Sequence, residues 1–203
     1  MRMLDGISQC YWLSNDCVVN WDAWSAIGTV AAVFAAVFAP AIQRRFVRGK
    51  ANALFAFAYL QDIVEARSCL RSVDVAYPLL ADTVAGHWCD ANLRLKADAR
   101  REYSELMSKA LSSLAKREVD LAKWPAVDLE VAAGVVIAIE TTKALLTAAN
   151  AFPDLEPSKF DDGMTTLRRA TNVALEATAM AQKNGEKLVG RLIKEHKRRA
   201  LRE

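Results

Sequence analysis

Glycine and proline are scarce in this sequence, eight and five in 203 residues. No run of alternating β-branched residues occurs either, and a chain rich in Ala and Leu with so few breakers argues for helix throughout and against sheet. Only two histidines are present, His87 and His196, which limits the acid–base chemistry at hand. The sequence carries no glycine-rich phosphate loop, no Gly-x-Ser-x-Gly and no His-Glu-x-x-His. Glu130 and Glu140, ten residues apart, show no pairing. The cysteines are four, without Cys-x-x-Cys. Cys69 and Cys89 have only His87 nearby, too few ligands for zinc, and read as small core residues. No metal, cofactor or small-molecule substrate is expected. At 53% hydrophobic, 25% charged and net charge +3, the composition excludes disorder and is ordinary for one globular domain with one membrane segment.

Charge is what residues 24–43 lack altogether, and immediately afterwards come Arg44, Arg45, Arg48 and Lys50. At roughly 1.5 Å per residue, such a helix matches the ~30 Å hydrocarbon layer, so one transmembrane pass is expected. Ala39-Pro40-Ala41 has the look of a signal-peptide cleavage site, but the run follows a segment carrying Asp5, Asp16 and Asp22 rather than a short basic one. A buried core helix is the other reading, since Ala is weakly hydrophobic. The flanks favour the membrane: Trp21 and Trp24 suit the outer interface, and Arg44, Arg45 and Arg48 the inner one. The positive-inside bias then puts the N-terminus outside. The expected layout is a short extracytoplasmic segment over 1–20, a transmembrane helix over 21–47 and a cytoplasmic domain over 48–203. Cys10 and Cys17, on the outer side, either close a small disulfide loop or remain free thiols.

Beyond the span, Phe55, Tyr59, Ile63 and Leu70 mark one face of a helix continuing to about Val73, with Gly49 too weak a breaker to stop it. Tyr77-Pro78 ends that helix, and a turn or short helix fills 78–90, with His87-Trp88-Cys89 read as a packed connection. Asp90 or Asn92 is expected to cap a helix to about Val119 with Leu93, Ala97, Tyr103, Met107, Ala110 and Leu114 inward. Trp124-Pro125 breaks the chain. A further helix over 126–150 has Leu129, Ala132, Val136, Ile139, Leu146 and Ala149 in register, and its stretch 131–139 is too short to span. Ser158 is expected to cap a long last helix, 159–199, with Phe160, Met164, Leu167, Thr171, Ala174, Thr178, Ala181, Leu188 and Leu192 on one stripe. The expected fold class is all-α: an N-terminal transmembrane helix followed by a cytoplasmic antiparallel four-helix bundle with a long C-terminal helix.

Three features bear on function. Gly28, Ala32 and Ala36 recur every four residues in the span, the spacing that lets membrane helices approach closely, and they are the expected self-association seam. No charge inside the span marks an ion path. The C-terminal stretch from Lys183 collects eight cations, Lys183, Lys187, Arg191, Lys194, Lys197, Arg198, Arg199 and Arg202, suited to a solvated helix end, anionic headgroups or RNA. Within it lies Arg191-x4-His196. In the HEPN family of helical ribonucleases this spacing sets a guanidinium beside an imidazole, and the resemblance implies Arg191 and His196 as a catalytic pair acting on RNA.

The whole layout, with Trp-x-x-Trp-Ser-Ala-Ile-Gly-Thr opening the span and an Arg cluster closing it, resembles the small membrane accessory proteins of RNA-guided, RNA-targeting CRISPR effectors and other anchored antiphage effectors. That resemblance implies a bacterial inner-membrane protein that forms homo-oligomers, contacts the bilayer, acts in some cases by perturbing it, and partners RNA or an RNA-guided effector protein. Sixteen arginines, two histidines and three tolerated spacings give about 0.5 such Arg–His matches by chance in 203 positions, and Leu192 stands where the HEPN family commonly has a polar residue. The reading favoured is therefore non-enzymatic, with a divergent HEPN-type ribonuclease and a soluble helical regulator with a buried first helix as the alternatives.

Overall fold

The computed structural model describes residues 21–200. The segment 1–20 with Cys10 and Cys17, the side chains of Trp21, Trp24 and Arg199, and Arg202 lie outside the described residues. Everything regular in the described part is helical: α1 (Trp21–Ala76), α2 (Val84–Leu95), α3 (Ala97–Ala115), α4 (Leu129–Ala151) and α5 (Phe160–Ala200), with 3-10 turns at Leu121–Lys123, Phe152–Asp154 and Pro157–Lys159. The all-α expectation holds, and helix α1 passes through Gly49 as expected.

The chain divides into two compact units after Val47. In the first, the described residues are the opening of α1. Every side chain from 27 to 47 is exposed. Thr29 Oγ1 donates to the Ser25 carbonyl at 2.9 Å, which satisfies its hydroxyl within the helix. Pro40 sits inside the helix and, having no N–H, leaves the Ala36 carbonyl without its usual donor.

The second unit holds a single apolar core. The later part of α1 contributes Phe55, Tyr59, Ile63, Ala66, Leu70 and Val73, the face that the spacing predicts. Phe55 packs against Tyr59 at 5.1 Å between centroids and takes the edge of Trp124 at 5.4 Å. Polar contacts fix the register of α1. The buried Asn52 accepts from the Asp128 backbone N–H at 2.8 Å and donates to Asp128 Oδ2 at 2.6 Å, pinning the N-cap of α4. Arg117 pairs with Asp62 at 2.8 Å, and Arg67 donates to Gln182 at 2.6 Å.

A short helix does lie in the connection after Tyr77-Pro78, but it runs on to Leu95, and the helix expected from Asp90 or Asn92 to about Val119 is instead α3, Ala97–Ala115. Thr83 is the cap, its hydroxyl accepting from the Gly86 N–H at 3.3 Å, and α2 starts seven residues earlier than Asp90 would have it and nine earlier than Asn92 would. Asp90 lies inside α2 and is engaged by Arg94 at 3.0 Å and Arg168 at 3.4 Å. The chain breaks at Lys96, which is extended (φ −114°, ψ 114°). Arg100 holds that corner by donating to the carbonyls of Leu93 and Arg94 at 3.0 and 3.1 Å, which the end of α2 leaves free. Helix α2 buries Gly86, Cys89 and Leu93, so His87 and Trp88 fall on its outer face, exposed rather than packed. Only glycine fits at 86, because a Cβ there would collide with the Ala81 carbonyl.

Helix α3 buries Tyr103, Met107, Ala110, Leu111 and Leu114, while Ala97 is exposed. Ser104 and Ser108 both donate to Asn150 near the end of α4, at 3.1 and 2.8 Å. Helix α4 buries Ala132, Val135, Ala138, Ile139, Thr142, Leu145 and Ala149. The predicted stripe is thus partly rotated: Leu129 is exposed, and Val136 and Leu146 are only half-buried. Helix α5 begins at Phe160, after the turn that contains Ser158, and buries Met164, Leu167, Thr171, Ala174, Thr178 and Ala181.

Candidate membrane segment and helical cleft

Among the described residues, two helices are long and apolar enough to cross a membrane. Residues Ile27–Ala76 contain a window of mean hydropathy 1.5 with none of it buried, and Leu129–Asp154 one of mean hydropathy 1.6 with 33% buried. The second is α4, whose buried face builds the core. In the first, the apolar side chains are uncovered among the described residues: Val33, Phe34, Val37, Phe38 and Ile42 are all more than half exposed. Gly28, Ala32 and Ala36 are exposed as well, and a Cβ added at Gly28 would meet nothing within 4 Å. Arg44, Arg45 and Arg48 are exposed too.

At the other end of the chain, Arg191 and His196 are both exposed on α5. Five residues along a helix turn a side chain by about 140°, so one copy of the chain does not converge them on one point. Lys183, Lys187, Lys194, Lys197 and Arg198 are exposed likewise. No family model, curated protein or solved structure matches the chain. Function has to be read from the geometry.

The second unit contains a cleft of about 290 Å³ between α1, α4 and α5. Its floor is apolar, with Ala56, Ile63, Val135 and Ala181 buried and Leu60 and Leu188 half-buried. The mouth carries four exposed polar residues, Glu130 on α4 and Asn184, Lys187 and Arg191 on α5. Two glycines shape it. A Cβ at Gly185 would press on Leu60 Cδ1 at 3.0 Å, so α5 lies close over α1 there, whereas one at Gly134 would meet nothing. Sequence spacing does not join these three stretches, and the cleft was missed; the isolated glycines inside helical patterns are its one trace in the sequence.

A separate polar cluster lies under α2. Burial pushes the Cys89 thiol up to about 11, helped by the negative charge of Asp90 and opposed by Arg168. Burial also raises Asp74, and burial together with Glu102 raises Tyr77. Cys89 is consequently a neutral thiol at physiological pH, a packing residue rather than a nucleophile. Among the described residues, no group of three or more His, Cys, Asp or Glu side chains is placed to hold a metal ion.

Proposed function

We propose that this chain is a single-pass membrane protein, N-terminus outside, whose cytoplasmic helices form an antiparallel four-helix bundle and which self-associates through Gly28, Ala32 and Ala36. On the resemblance of its layout, the proposed role is that of an antiphage effector or accessory protein at the bacterial inner membrane, with an RNA-guided effector as partner and membrane perturbation as the output. The observation that carries the reading is the segment 27–47, whose side chains are all exposed among the described residues. A large apolar side chain left in water rather than covered forfeits up to roughly 1.5–3 kcal/mol, and nine of them, from Ile27 to Val47, are exposed here. A bilayer covers all of them at once. The small-residue seam then supplies a helix–helix contact inside it.

Fractionation tests the reading. The full chain should stay in the membrane pellet through alkaline carbonate, and release into the soluble fraction would return the first helix to a soluble, partner-covered role. Cross-linking in mild detergent should trap dimers or higher species; a strict monomer removes the seam. His196→Ala should leave activity intact. Loss of RNA cleavage or of toxicity in that variant would replace this reading with the ribonuclease one.

A further inference from the structure

We propose that the cleft between α1, α4 and α5 binds a single-chain amphiphile with an anionic head, hydrocarbon on the apolar floor and head against Lys187 and Arg191. The size sets the first limit. An apolar cavity of about 150 Å³ admits benzene, so one of about 290 Å³ takes on the order of a dozen carbon atoms, one chain and not two. The floor of Leu60, Ile63, Val135 and Leu188 offers such a chain no polar partner, which excludes a sugar or a nucleotide there.

The mouth sets the second limit. Lys187 and Arg191 stand one turn apart on α5, close enough to share one oxyanion. Neither makes an ion pair among the described residues, and both line the cleft. Glu130 faces them from α4 without pairing, so two positive charges meet one negative, and the α5 side of the mouth is where an anion gains. A singly charged carboxylate fits that side; a bulky or dianionic head reaching across would meet Glu130. The site does not depend on α1 crossing a bilayer, because every residue lining it belongs to the second unit.

A dodecanoate carrying a diazirine at its chain end tests this with the full chain in phosphatidylcholine nanodiscs. After illumination, peptides containing Leu60, Val135 and Leu188 should be labelled saturably, and free dodecanoate should compete. Gly134→Leu should abolish that labelling by filling the cleft, and it should not lower the melting temperature, since an added Cβ has open space and leucine is the better helix former. The double change Lys187→Gln and Arg191→Gln should weaken competition by dodecanoate about tenfold or more while leaving competition by dodecanol unchanged. Labelling confined to residues 27–47, or unaltered by Gly134→Leu, overturns the proposal. Equal competition by dodecanol and dodecanoate in the parent chain overturns its anionic part.

Discussion

Cys89 shows how one side chain ties the pH dependence of this fold to its packing. Its thiol titrates near 11 in the folded chain against 9.0 for an unperturbed thiol, chiefly because burial penalises the thiolate. A group raised on folding stabilises the folded state fully below its unfolded pKa, and that contribution is lost as pH rises towards the folded value. Stability should therefore fall between about pH 9 and pH 11, and Cys89→Ala should flatten that part of a pH series of thermal melts. The same shift lowers the thiolate fraction at pH 8 by roughly a hundredfold. Peptide mapping after brief iodoacetamide treatment should find Cys69 modified and Cys89 spared until the chain is denatured. Early modification of Cys89 would mean that α2 opens readily.

Among the elements, the helices with two distinct faces were legible and the corners between them were not. Six of the nine positions on the expected stripe of α5, Met164 through Ala181, are buried because a charged opposite face leaves one orientation. Helix α4 is apolar on nearly all sides, so its period is weak, and Val135 and Leu145 are buried in place of the expected Val136 and Leu146. The break between α2 and α3 carries neither Gly nor Pro. It is stabilised by Arg100, whose guanidinium reaches back over six and seven residues to two carbonyls and stacks on Phe160 at 4.6 Å. No propensity at Leu95 or Lys96 announces that. Arg100→Ala should cost roughly 1.5–3 kcal/mol, the worth of hydrogen bonds to a charged group, read as a lower denaturation midpoint. Arg100→Lys should recover only part of it, because an ammonium lacks the planar fork. In α1 the element-scale test is Gly28→Ile. The single helix has open space there, so helicity by circular dichroism should be unchanged while the detergent-trapped dimer is lost. Retention of the dimer would move the contact to another face.

At the scale of the whole molecule, two helices are about equally apolar, and the proposed function assigns only α1 to lipid. Hydropathy does not separate them, with 1.5 for the window in α1 and 1.6 for that in α4. Packing does. A core helix spends its apolar face on its neighbours, as α4 does with Ala132, Val135, Ile139 and Leu145, and what remains exposed on it is a mixed flank of Leu129, Glu130, Ile137, Glu140 and Thr147, the Thr147 hydroxyl bonding back to a helix carbonyl. The segment 27–47 has no such division, with apolar side chains on every side and none covered. Two cysteine variants turn this into a measurement, since Val37 is 63% and Ile137 54% exposed in the isolated chain. Exposure alone therefore gives Val37→Cys and Ile137→Cys similar accessibility to a charged maleimide. With α1 in a bilayer, Val37→Cys should be silent in intact membranes and react only after detergent is added, while Ile137→Cys should react in open or inverted vesicles without it. If the two behave alike, either both helices lie in lipid or neither does. A silent Ile137→Cys together with a reactive Val37→Cys would exchange the roles of α1 and α4 and remove the basis for the single-pass arrangement.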